Sequence, residues 1–97
     1  VNNAIKRTLF LSVRESVQNI EKYANAKNVI LSFKEDKKLI YLTINDDGIG
    51  FDINARKTGI GLKNMKERVE EINGVFSLKS KTNSGTTIEI EIPKNGN

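Results

Sequence analysis

The chain has 97 residues, a formal net charge of +4, 37% hydrophobic and 29% charged residues, which sets the expectation of one soluble globular domain spanning residues 1–97. It contains neither cysteine nor histidine, so disulfides, thiolate metal sites and the commonest general base are all excluded; a bound metal has to be hard and oxygen-liganded, with magnesium first. Acidic residues interleave with the lysines and no aromatic–basic alternation builds a stacking platform, so nucleic acid is not the expected partner. No apolar run approaches the roughly 20 residues of a membrane span.

Ala4 to Ala24 read as one helix. Leu9, Val13, Val17, Ile20 and Ala24 recur at spacings of three and four and form the expected core stripe. Ser12, Glu15, Asn19 and Lys22 fall on a different face, with Tyr23 at the border. Val29 to Phe33 is a first strand, Lys34 to Lys38 a charged turn, and Leu39 to Asn45 a second strand with Ile40, Leu42 and Ile44 on one side. Asp46 continues that parity, so its carboxylate is expected to face the covered side of the sheet, where an anion needs a specific partner. Asn54 to Thr58 form a polar lid. A second helix runs from Leu62 to Ile72, with Leu62, Met65, Val69 and Ile72 inward and Asn73-Gly74 as its C-terminal signal. Val75 to Ser80 is a third strand. Thr86 to Ile92 is a fourth, with Ile88, Ile90 and Ile92 inward; Pro93 stops it, and Lys94 to Asn97 are expected to form a frayed tail. Helix, strand, strand, helix, strand, strand predicts an α/β two-layer sandwich, with both helices on one face of a mixed, mostly antiparallel sheet.

Four short patterns carry chemistry. Glu15 and Asn19 lie one helical turn apart, a carboxylate and an amide carbonyl suited to a magnesium ion that keeps several waters; two unrelated residues on a solvated face are the alternative. Asp46-Asp47-Gly48-Ile49-Gly50 leaves a strand into a glycine-hinged loop. An ionised carboxylate accepts hydrogen bonds and donates none, so Asp46 suits an exocyclic amine such as that of adenine; an Asx turn is the competing role. Gly59-Ile60-Gly61 opens the second helix, where free N–H groups attract anions, or simply ends a flexible loop. Thr86, beside Gly85, adds a hydroxyl or serves as a β-former. Arg56 and Lys57 in the lid meet phosphates or solvent.

The ordered combination of these patterns resembles the ATP-binding domain of the superfamily of gyrase, heat-shock chaperone, histidine kinase and MutL proteins. Within it, Arg14-Glu15-Ser16-Val17-Gln18-Asn19, Gly61-Leu62-Lys63-Asn64-Met65-Lys66-Glu67-Arg68-Val69 and Ser84-Gly85-Thr86-Thr87 resemble the NarL- and DesK-type bacterial sensor histidine kinases over nearly the whole chain. Lys22-Tyr23 stands where that group often has Lys-His, and the resemblance sets the expectation that strands which the family often places before the first helix are trimmed or merged into the start.

The resemblance implies roles. Asn19 would coordinate magnesium and Glu15 would act through a water. Asp46 would read the adenine amino group, with Gly48 and Gly50 shaping the pocket and Thr86 supporting that end. Gly59, Ile60, Gly61 and Leu62 would meet the phosphates, and Lys22 and Tyr23 the ribose or phosphates. It also implies magnesium–ATP as ligand, a histidine on a separate dimerisation domain as acceptor, and a response regulator beyond it. The domain would be cytoplasmic and free of membrane contact, within a parent that is membrane-anchored in many members. An anti-sigma-factor-type serine/threonine kinase and an ATP-sensing module without phosphoryl transfer are the alternatives.

Overall fold

The computed structural model describes residues 3–20, 27–48, 60–80 and 85–94. Its elements are α1 (Asn3–Asn19), β1 (Val29–Glu35), β2 (Leu39–Asp46), α2 (Ile60–Glu71), β3 (Val75–Ser80) and β4 (Thr86–Pro93). The strands form one sheet in the order β1-β2-β4-β3, and all three pairings are antiparallel. The sandwich is as expected; the sheet is antiparallel throughout the described residues rather than mixed.

The β2–β4 pairing is the spine of the domain. It runs unbroken from Leu39↔Pro93 to Asp46↔Thr86. Both strands alternate, so Ile40/Ile92, Leu42/Ile90 and Ile44/Ile88 stack as cross-strand pairs on one face. Ile5 of α1 and Met65 and Val69 of α2 close over them. Burial of each such side chain contributes on the order of 2 kcal/mol. β1 lies outside this cover: all seven of its residues are exposed, including Leu31 and Phe33, which share a face with Ile44 and Leu42.

The core face of α1 departs from the expected stripe. The residues that bury fully are Ile5, Thr8, Ser12 and Ser16, whereas Leu9, Val13 and Ile20 pack at the flanks. Ser12, expected on the polar side, is wholly buried. The reason is that α1 packs on α2 as well as on the sheet. Small side chains bring the two helices close; the Ser16 hydroxyl finds an acceptor inside its own helix, whereas Ser12 Oγ is buried without a partner. Ser16 Oγ donates to the Ser12 carbonyl at 2.7 Å and lies 3.8 Å from Met65 Sδ. The expected continuation of α1 to Ala24 falls outside the described residues.

α2 ends in a tight cap. Asn73 N donates to Glu70 O at 3.0 Å and Gly74 N to Val69 O at 2.9 Å, the paired bonds of a Schellman motif. Asn73, at φ 64°, takes the left-handed position. Gly74 serves a different need, close approach: a Cβ there would lie 2.7 Å from Val69 Cγ1 and 2.9 Å from Glu91 O. The chain thus turns directly from α2 into β3. The tail also departs from expectation at its start, since Lys94 N donates to Lys38 O at 2.8 Å and Lys94 Nζ pairs with Glu35 at 2.9 Å.

Gly74→Ala should therefore destabilise the domain by about 1–3 kcal/mol, the usual cost of overpacking. The check is a lower urea midpoint at unchanged m-value, with Asn73→Gly, which suits the left-handed position, holding or raising the midpoint.

Candidate nucleotide site

Register places the candidate residues in one row. Asp46 pairs with Thr86 across β2–β4, and Thr86 with Ser80 across β4–β3. Partners in register share a face, so the row lies on the helix side, at the end of the isoleucine ladder. Asp46 is 5% and Thr86 9% exposed. Ser80 Oγ shares a 2.8 Å hydrogen bond with Thr86 Oγ1 and donates to Gly85 O at 3.1 Å. Ser80 was not among the sequence candidates. Its position at a strand end carries no local signal, and only the β3–β4 register brings it to Thr86.

Of the two roles that the sequence left as alternatives for Asp46, the structure shows the Asx turn. Its Oδ1 accepts from Gly48 N at 2.8 Å, closing an Asx turn. Among the described residues, no hydrogen bond to its Oδ2 accompanies this turn. Gly85 adjusts this corner from the other strand. It has φ +77°, and a Cβ on it would lie 2.2 Å from the Asp46 carbonyl oxygen, so any side chain there would push β4 away from β2.

Asp47 is a turn residue with a definite task. Its Oδ1 accepts from the backbone N–H groups of Lys27 and Asn28, each at 2.9 Å, and its Oδ2 from Asn28 Nδ2 at 2.8 Å. Asp47 N returns a bond to Asn28 O at 3.2 Å. The carboxylate thereby fastens the approach to β1 against the exit of β2. The Asn28 backbone and amide donors hold its pKa below the ordinary aspartate value, and they outweigh a small opposing desolvation effect.

The helices contribute the other half. Ser16 meets Met65, and Glu15 meets Arg68, while Thr8 and Ala4 line a groove with Arg68 and Ile72. Position falls along α1 as it rises along α2, so the two helices run antiparallel. Asn19, half-buried at the end of α1, therefore lies toward the first turn of α2, which begins at Ile60. The opposite end of α2 is fixed beside Glu91 through Gly74, five positions along β4 from Thr86. The first turn thus points toward the Asp46–Thr86 end of the sheet. The groove, of about 470 Å³, sits at the far end of the helix pair, away from that row.

Glu15 is not on a solvated face, the alternative that the sequence left open. Its Oε1 accepts from Arg68 Nη2 at 3.2 Å across the helix interface, and its Oε2 is buried without a partner. Glu15 and Asn19 supply only hard oxygens, as magnesium requires, and the orphaned Oε2 leaves an acceptor for a bound water. Among the described residues no group of three or more His, Cys, Asp or Glu side chains could hold a metal ion. Leu62 packs against the core. Gly48 is buried at the Asx turn. Lys22, Tyr23, Gly50, Asp52, Arg56, Lys57 and Gly59 lie outside the described residues, and of Ile60 and Gly61 only the helical backbone is described.

This arrangement is a two-layer α/β domain with a candidate nucleotide site at one end of its sheet. Residues 4–96 match the family of histidine kinase-, DNA gyrase B- and HSP90-like ATPases, and the chain belongs to that family. It is 41% identical over 90 residues to the signal transduction histidine-protein kinase/phosphatase DegS of Brevibacillus brevis, covering 92% of this chain and 23% of that one. It is 41% identical over 88 residues to the sensor histidine kinase YdfH of Bacillus subtilis, covering 87% and 22%. To the oxygen sensor histidine kinase NreB of Staphylococcus carnosus it is 33% identical over 94 residues, covering 95% and 27%. The chain thus spans about a quarter of the length of these relatives. The fold agrees with the histidine kinase domain of the Erythrobacter litoralis EL346 blue-light activated histidine kinase, at a TM-score of 0.76 and 20% identity over 91% of this chain and 44% of that one. It agrees equally with the Acinetobacter baumannii histidine kinase AdeS, at 0.76 and 20% over 92% and 47%. Among the described residues no helix is long and apolar enough to cross a membrane.

The lowered pKa of Asp47 gives a signed pH dependence. A carboxyl depressed by folding stabilises the native state above its unfolded value, about 3.9, and loses that contribution as pH falls through its lower folded value. The urea midpoint of Asp47→Asn should therefore lie below wild type at neutral pH, and the gap should close as pH falls below about 4. A gap that persists unchanged in acid would contradict the carboxylate clamp.

Proposed function

We propose that this chain is the ATP-binding catalytic domain of a sensor histidine kinase, which passes the γ-phosphoryl of ATP to a histidine on a separate dimerisation domain, from which a response regulator receives it. The observation that carries this reading is the buried row Asp46–Thr86–Ser80, lying toward the first turn of α2. Adenine would occupy the row, its exocyclic amine donating to Asp46 and its edge near Thr86. The phosphates would reach the backbone N–H groups from Gly59 to Leu62, where no side chain is required and the helix dipole favours anions. Lys22 and Tyr23 follow α1 in sequence and would flank the ribose and phosphates, and Gly50 would continue the turn that Gly48 begins.

Asn19 and Glu15 would hold magnesium with its waters; bound there, the ion would offset the phosphate charge. The residues of this chain then act by position and electrostatics rather than by covalent chemistry. In the transfer the γ-phosphorus–oxygen bond to ADP breaks, a phosphorus–nitrogen bond to the acceptor imidazole forms, and the imidazole proton leaves. Glu15 Oε2 would take that proton through a water. The chain has no histidine, so the acceptor must lie elsewhere in the parent protein. The 33–41% identity to sensor kinases favours this reading over a serine/threonine kinase or a passive ATP sensor. The domain would work in the aqueous phase of the cytoplasm, whatever anchors its parent.

Asp46→Asn keeps an oxygen for the Asx turn but removes one acceptor from the carboxylate. It should weaken magnesium–ATP binding at least about tenfold, or about 1.4 kcal/mol, with a thermal midpoint close to wild type; calorimetry showing wild-type affinity would contradict the adenine assignment. Asn19→Ala should flatten the magnesium dependence of ATP binding, so superimposable magnesium titrations of variant and wild type would remove Asn19 from the metal site.

A further inference from the structure

We infer that Arg68 is a positioning residue for the phosphoryl-transfer step, holding Glu15 so that one carboxylate oxygen is fixed and the other is presented to the reaction. The inference rests on the reading of Glu15 given above. Arg68 Nη2 meets Glu15 Oε1 at 3.2 Å, from residues 53 positions apart. The pair joins the C-terminal part of α1, one turn before Asn19, to the last turn of α2. Side-chain exposures are 27% for Arg68 and 24% for Glu15, so both ends are mostly shielded from water. An exposed ion pair orients little, because solvent competes and long side chains resist being fixed. A largely buried one is different: removing one partner leaves the other charge without compensation.

The contact is made through one atom on each side. Glu15 Oε2 and Arg68 Nη1 are both buried without a hydrogen-bond partner. Arginine offers a planar fork and carboxylate a matching pair of oxygens, and the pair readily engages both. Here one oxygen stays unengaged. Oε1 is tied to α2, whose first turn would carry the phosphates, so the free oxygen is set at a fixed distance from them. The guanidinium also offsets a negative charge that would otherwise repel the polyphosphate. A residue acting this way changes the rate of transfer more than the affinity for nucleotide.

The test measures phosphohistidine formation from labelled ATP in the parent kinase, with variants at Arg68 and Glu15. Arg68→Ala should lower kcat about tenfold or more while KM for ATP stays within about twofold. Arg68→Lys, which restores charge without the fork, should recover part of the rate. In a Glu15→Gln background, Arg68→Ala should cost less than about twofold, because the residue it serves is already disabled. Arg68→Gln, of similar helix propensity, replaces the alanine variant if that protein fails to fold. Three results overturn the inference. One is a wild-type rate for Arg68→Ala. Another is an equal loss in both backgrounds, the mark of a structural role. The third is full activity of Glu15→Gln, which would place the fault in the reading of Glu15 rather than in the link to Arg68.

Discussion

The domain depends on the antiparallel pairing of β2 with β4. Eight register pairs fix which side chains face the helices, and a slip of one residue would turn every isoleucine outward and Asp46 with them. The ladder Ile40/Ile92, Leu42/Ile90, Ile44/Ile88 makes the register costly to change. Asp46/Thr86 is the next pair in the same alternation. The cost of burying a carboxylate at that place is reduced by Gly48 N, which donates to one of its oxygens. The stability of the core and the placement of Asp46 therefore come from one set of contacts.

Around that spine, close approach does much of the positioning. Gly85 brings the start of β4 against the Asp46 carbonyl, and Gly74 brings the end of α2 against Glu91. The first fixes the corner of the row and the second sets the direction of α2. Thr8, Ser12 and Ser16 do the same for the helix pair by presenting small groups. The consequence is a polar seam inside the helical layer, with the Glu15–Arg68 pair at its margin. In this reading the fold spends apolar burial on α1 to obtain a short distance between the two helices.

Much of this was legible in the sequence, and the limits have physical causes. Strand alternation declared the inward faces of β2 and β4, including the inward turn of Asp46, because period two leaves no ambiguity. The Met65/Val69 stripe was equally clear. α1 misled because its apolar residues form a stripe of their own, while the face that buries is made of serine and threonine. Hydropathy does not register close helix packing. Arg68 and Ser80 were invisible as site residues because their partners lie across the fold, 53 and 6 positions away, at spacings set by packing and register. The exposure of β1 was also not legible, since its apolar content reads like that of a covered strand.

The most direct test of a site built from the Asp46–Thr86–Ser80 row and the first turn of α2 is amide chemical-shift mapping of the chain as magnesium–ATP is added. The account predicts the largest shifts at Asp46, Gly48, Ser80, Thr86 and the first turn of α2, with much smaller ones in the Asn3–Thr8 groove. Shifts centred on that groove, or none at saturating nucleotide, would contradict it.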